Sequence, residues 1–116
     1  MGIKLAIIGS RSFNDLDKLE LAIYQLNVKI DKVISGGATG ADKLGEEWAK
    51  LNGIEIELHL PEWEKYGRSA GIIRNKAIIQ NCDYCLAFWD GKSKGTESSI
   101  SFCKKFQKPI KVVHIS

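Results

Sequence analysis

Short apolar runs alternate with stretches whose apolar residues recur at spacings of three and four along nearly the whole chain. Lys4 to Ile8 reads as a strand. Leu16, Leu19, Ile23 and Leu26 mark one face of a helix, with Asn14 as its expected N-cap and Asp15 and Asp17 in the first turn, where a helix dipole favours negative charge. A second strand covers Lys32 to Ser35 and is broken by Gly36, Gly37 and Gly40. The next helix is expected to bury Ala41, Leu44, Trp48 and Leu51 and to stop at Asn52-Gly53. From Ile54 to Leu60, Ile54, Ile56 and Leu58 alternate with Glu55, Glu57 and His59, which predicts a strand with one wet face at a sheet edge.

Pro61 to Tyr66 reads as a loop carrying Trp63, followed by a helix from about Ser69 to Asn81. Tyr84 to Trp89 is almost wholly apolar, as a central parallel strand would be. Asp90 to Gly95 is a turn, Thr96 to Phe106 a short helix, and Ile110 to Ile115 a last strand. Five strands alternating with about four helices predict an α/β fold, a single Rossmann-like doubly wound parallel sheet. Right-handed crossovers and two apolar central strands favour the order 3-2-1-4-5. That order lays the turns after strands 1, 2 and 4 side by side at the carboxyl edge, and those turns carry the glycines.

Bulk properties narrow the picture only slightly. The 116 residues fit one domain spanning 1–116, long enough for a real core. A net charge of +3 suits an anionic ligand but is not the clustered basic surface of a dedicated nucleic-acid binder. Cys82, Cys85 and Cys103 are odd in number and lack a disulfide-framework spacing, so a reducing, cytoplasmic setting is expected. The apolar run at Ile3 to Ile8 is too short for a signal segment or a membrane span. Cys82 and Cys85 have the spacing of a metal half-site, but no second pair accompanies them, and no metal is expected.

Four constellations carry candidate chemistry. Gly9, Ser10 and Arg11 follow the first strand: glycine permits close backbone approach, serine offers a hydroxyl, and arginine can fork onto phosphate. Ser35, Gly36, Gly37, Thr39, Gly40 and Asp42 lie between a strand and a helix start, where several amide groups could face one anion. This is neither a Walker A loop nor a G-x-G-x-x-G fingerprint. Trp89, Asp90, Gly91, Lys92, Gly95 and Thr96 repeat the arrangement with lysines added. Thr96 either caps the helix or touches phosphate, and Trp89 either packs or stacks on a base. Arg68, Arg74 and Asn75 open the helix expected to reach the same edge; a polar pair at 74 and 75 facing the sheet would need a reason.

Taken in order, GSRSF at Gly9 to Phe13, SGGATGAD at Ser35 to Asp42, Pro61-Glu62-Trp63, GRSAGIIRN at Gly67 to Asn75 and WDGKSKGT at Trp89 to Thr96 resemble the SLOG superfamily, the Smf/DprA and LOG group. The resemblance is greatest to its small YspA-like branch. It implies a Rossmann-like domain that binds a nucleotide or nucleotide derivative, often as a sensor, in a family whose members often self-associate into homo-oligomers. LOG-type members are phosphoribohydrolases with the pattern PGGxGTxxE. In that register the carboxylate position here is Ser99, and the nearby carboxylate is Glu97. Two helical residues are about 200° of rotation apart, so Glu97 points away from where Ser99 points.

The preferred expectation is a module that holds a nucleotide-like small molecule through its glycine-rich loops, with no further cofactor required and no membrane partner. The second is a nucleoside-phosphate N-glycosidase using Glu97, Asp42 or Asp90. The third is DprA-like single-stranded DNA binding, against which the modest charge and the lack of an aromatic-basic stripe both argue.

Overall fold

The computed structural model describes residues 2–115. Five parallel strands, β1 (Ile3–Gly9), β2 (Ile30–Ser35), β3 (Glu55–Leu58), β4 (Tyr84–Trp89) and β5 (Ile110–His114), form one sheet in the order β3-β2-β1-β4-β5. The helices between them are α1 (Leu16–Leu26), α2 (Ala41–Leu51), α3 (Trp63–Tyr66), α4 (Ala70–Asn81) and α5 (Lys94–Lys105). The doubly wound sheet and its order are those expected from the alternation of apolar runs. Among the described residues no helix is long and apolar enough to cross a membrane.

Period-two alternation in the central strands feeds two cores. Leu5 and Ile7 of β1 join Val33, Leu86 and Phe88 on one face, beneath Leu19 and Ile23 of α1 and Ala41 and Ala49 of α2. Ala6 and Ile8 join Ile34, Cys85 and Ala87 on the other, beneath Ile78 and Ile79 of α4 and Cys103 of α5. Both faces of β1 and β4 are therefore sealed, which is why their sequences are nearly continuous hydrophobic runs. β3 pairs only with β2 and is the expected edge strand. The three cysteines are free thiols in the second core.

Several local expectations change. α1 is capped by Asp15, whose side chain accepts the Lys18 amide at 3.0 Å, not by Asn14. Leu51 and Leu58 are exposed rather than core. The first lies past the buried stripe of α2, and the second on an edge strand shorter than expected. The segment around Trp63 includes one helical turn, α3, and a 3-10 turn at Gly67–Ser69 that leads into α4. α5 starts two residues early, so Ser93 is its N-cap and Thr96 sits inside its first turn.

Candidate functional site

The ends of β1, β2 and β4 meet at the carboxyl edge. Phe13 pins the turn after β1 by stacking on Phe88 of β4, with ring centroids 4.5 Å apart and planes 11° from parallel. Burying such a ring is worth roughly 2–3 kcal/mol, enough to hold the turn in one place. The loop after β2 closes against that turn at Gly40. Its φ is +82°, and a Cβ there would come within 2.3 Å of the Ser10 carbonyl oxygen. Only glycine lets the two loops touch backbone to backbone. The Ala41 amide donates to that same carbonyl at 3.3 Å.

The amides of the second loop already have an anion. Asp42, buried at the start of α2, accepts through Oδ2 from the Gly36 amide at 3.2 Å and the Ala38 amide at 3.3 Å. The Gly37 amide donates to Ser35 Oγ at 3.2 Å, and Ser35 in turn donates to Glu46 at 2.7 Å. The expectation that these amides stand free for a ligand is therefore corrected: the chain fills its own nest. Burial pushes Asp42 up from 3.8 to about 6, against the opposing pull of the loop amides and Arg74.

A second aspartate does the same after β4. Asp90 accepts from the amides of Lys92 and Ser93, each at 2.8 Å, and from Ser93 Oγ at 3.0 Å. Those two amides hold its carboxyl down at about 2. Since Ser93 gives its hydrogen to Asp90, the 3.0 Å contact between Ser10 Oγ and Ser93 Oγ has Ser10 as donor. Ser10 also accepts the Asp90 amide at 3.1 Å, which ties the first loop to the third.

Between the braced loops lies a cleft of about 470 Å³, within the range of small-ligand sites. Its floor is the start of α5. Ser93 caps that helix through no side-chain bond, so the Lys94, Gly95 and Thr96 amides have neither an intrahelical acceptor nor a cap. Thr96 and Ser99 line the cleft and are 5% and 3% exposed. Their hydroxyls have no hydrogen-bond partner among the described residues, yet neither oxygen is sealed from solvent. Arg11, Lys94 and Arg74 bring three cations to the walls, against the two carboxylates already held in the loops. Arg74 donates from Nη1 to the Gly36 carbonyl at 2.6 Å and from Nε to Asn75 Oδ1 at 2.8 Å. Asn75 donates onward to the Gly95 carbonyl at 3.3 Å, which ties α4 to α5. A larger hollow, about 770 Å³, opens at the other end of the sheet between α1 and α2 and includes Tyr24 and Trp48. None of the three glycine-rich loops reaches it.

Residues 3–66 match the YspA, cpYpsA-related SLOG family. The chain is also 33% identical over 121 residues to the gene 61 protein of Mycobacterium phage D29, with 92% of this chain and 93% of that protein covered. The chain belongs to this SLOG family. Its fold is shared by DNA processing protein A (DprA) from Streptococcus pneumoniae, with a TM-score of 0.79 at 17% identity over 97% of this chain. The chain spans 50% of that DprA chain.

Of the residues singled out from the sequence, this SLOG chain brings Gly9, Arg11, Asp42, Arg74, Asn75, Asp90, Gly95 and Thr96 together around the cleft. Ser10, Ser35, Gly36, Gly37 and Gly40 lie behind it as bracing. Thr39, Arg68, Gly91 and Lys92 are exposed and outside it. Trp89 turns away: its Nε1 donates to the Ser93 carbonyl at 3.1 Å and its ring tilts against His114. Glu97 is exposed and outside the cleft, so the catalytic assignment to Glu97 is corrected, while Ser99, at the register of the LOG glutamate, faces inward. Ser12 and Lys94, which the sequence places in these turns, also line the cleft, and sequence reasoning missed Ser93 and Ser99. The GT-x-x register points to Ser99, where the family's carboxylate gives way to a hydroxyl.

Proposed function

We propose that the chain binds a nucleotide or nucleotide-derived phosphate ligand, with the phosphate at the start of α5. The observation that carries this reading is the opening of the Thr96 and Ser99 hydroxyls, on otherwise buried residues, into the cleft beside three uncapped amides. An anion seated at this helix N-terminus would accept from those amides and from both hydroxyls. Arg11, Arg74 and Lys94 supply the neutralising charge. Asp42 Oδ1, which has no partner among the described residues, is placed to accept a sugar hydroxyl. A thermal-shift series of nucleotides, cyclic nucleotides and NAD derivatives tests this. A ligand at a hundred times its dissociation constant stabilises by roughly 2.7 kcal/mol, on the order of ten degrees for a domain near this size. No shift with any phosphate-bearing compound would remove the reading.

One observation favours a second reading. Asp42 is a buried cleft carboxylate that titrates near 6, as a general base for water would. In N-glycosidic hydrolysis it would take a proton from water as the sugar carbon gains oxygen and the base departs with a proton. Free base released from nucleoside monophosphates, and lost in Asp42→Asn, supports turnover. Absence of release across the four common nucleotides leaves binding alone.

A further inference from the structure

A second hollow, about 280 Å³, opens on the far side of Arg74, which walls both cavities. The Arg74 guanidinium lies where a side chain at Gly36 would be, 2.5 Å from an ideal Cβ, and Leu60 Cδ2 covers Gly37 in the same way at 2.6 Å. The walls of the hollow mix apolar and polar groups, and their large apolar members are uncovered: Leu58, Leu60, Tyr66 and Ile73 are all exposed, and Trp63 extends the exposed surface nearby. Exposed apolar side chains gathered around a concavity with His59, Glu62 and Arg74 as polar members mark a binding surface rather than scattered exposure.

We propose that this hollow is the heterocycle subsite of the ligand whose phosphate sits at α5, an inference that rests on the phosphate reading of the cleft. The ligand runs from the Thr96 hydroxyl across Arg74, and its base packs on Leu60, Tyr66 and Ile73. Arg74 suits the crossing because a guanidinium pairs with phosphate at its edge and stacks on an aromatic ring with its face. Glu62 is the acceptor for an exocyclic amine of the base. A lipid chain or an apolar peptide would use the exposed leucines but neither Glu62 nor the cationic, hydroxyl-lined cleft joined to the hollow through Arg74.

The test is calorimetry of ribose 5-phosphate and the four common nucleoside 5′-monophosphates on the wild type, Leu60→Ser and Tyr66→Ser. Both substituted residues are exposed, and ribose 5-phosphate reports whether each variant keeps its cleft. The best nucleotide is expected to bind roughly tenfold or more tightly than ribose 5-phosphate, the scale of one base stacked on a side chain. Both variants are expected to lose most of that advantage while holding ribose 5-phosphate as the wild type does. If ribose 5-phosphate binds and no base adds affinity, or if the variants keep the advantage, the subsite is overturned while the cleft reading stands. If none of the five compounds binds, both fall.

Discussion

The carboxylate of Asp42 takes the amide hydrogen of Gly36 at 3.2 Å, so an acid carried by α2 occupies the nest that the glycines of the second loop create. Holding that charge in a buried place is costly, and the cost appears in its titration. Asp42 is raised from 3.8 to about 6 by burial. Between those values the folded state binds a proton that the unfolded state has released, so this group's contribution to stability is complete below about pH 4 and lost as pH rises through 6. The whole span corresponds to about 3 kcal/mol. Urea unfolding from pH 4 to 7 is expected to show that decline in the wild type relative to Asp42→Asn. Parallel curves for the two proteins would show that Asp42 is not perturbed.

The same proton governs the charge in the cleft. Sulfate keeps its double charge over this range and is a clean probe, whereas a phosphate monoester titrates near the same pH. Sulfate affinity is expected to rise several-fold as pH falls from 7 to 5 and Asp42 loses its charge. Asp42→Asn is expected to bind sulfate with a flatter pH profile. A wild type as flat as the variant would place the bound anion away from Asp42.

Thr96 separates binding from stability. Its hydroxyl has no partner among the described residues, so Thr96→Val removes nothing the fold uses and keeps the side-chain shape. A hydrogen bond to a charged group is worth roughly 1.5–3 kcal/mol, so the affinity for a phosphate ligand is expected to fall by about ten- to a hundred-fold. The midpoint of thermal unfolding is expected to stay within a degree or two or to rise slightly. Unchanged affinity alongside unchanged stability would take the phosphate off α5.

The sheet was legible because β1 and β4 must bury both faces, which leaves the continuous runs Leu5 to Ile8 and Cys85 to Phe88 with no other use. Gly36, Gly37 and Gly40 correctly marked the carboxyl edge, but their purpose was not readable. Whether an amide faces a ligand or a neighbouring aspartate depends on where α2 places Asp42, and spacing alone carries no such information. Glu97 and Ser99 show the converse. Helical rotation said that they diverge, and the structure buries Ser99 and exposes Glu97. The apolar surface around Leu60 and Tyr66 was missed because β3 ends earlier than its alternation suggests and Trp63 begins a helical turn.

Gly40 and Gly91 both hold a positive φ, +82° and +81°. Alanine at either position is strained by the positive φ, a penalty of roughly 1–3 kcal/mol. At Gly91 nothing lies within 4 Å of the added Cβ, whereas at Gly40 the Ser10 and Arg11 backbones stand at 2.3 and 2.5 Å. Gly91→Ala is therefore expected to cost only that penalty in chemical denaturation. Gly40→Ala is expected to cost several kcal/mol and to weaken ligand binding, because the first and second loops must part. Equal losses would mean that the loops do not press on each other at Gly40.

Arg74 makes the most connected prediction, since one guanidinium bonds the Gly36 carbonyl, holds Asn75 and draws Asp42 toward its charged form. Arg74→Met keeps much of the aliphatic stem and removes the charge. Without that pull, Asp42 is expected to titrate above 6, which carbon-13 NMR of the aspartate carboxyls would follow directly. The stability decline assigned to Asp42 would then extend to higher pH, because folded and unfolded titrations move further apart. Sulfate binding at pH 7 should weaken, because one wall cation is gone and the partial neutralisation of Asp42 offsets only some of that loss. An Asp42 titration left where it was would show that burial and the loop amides alone set it, and that Arg74 serves only to brace the second loop.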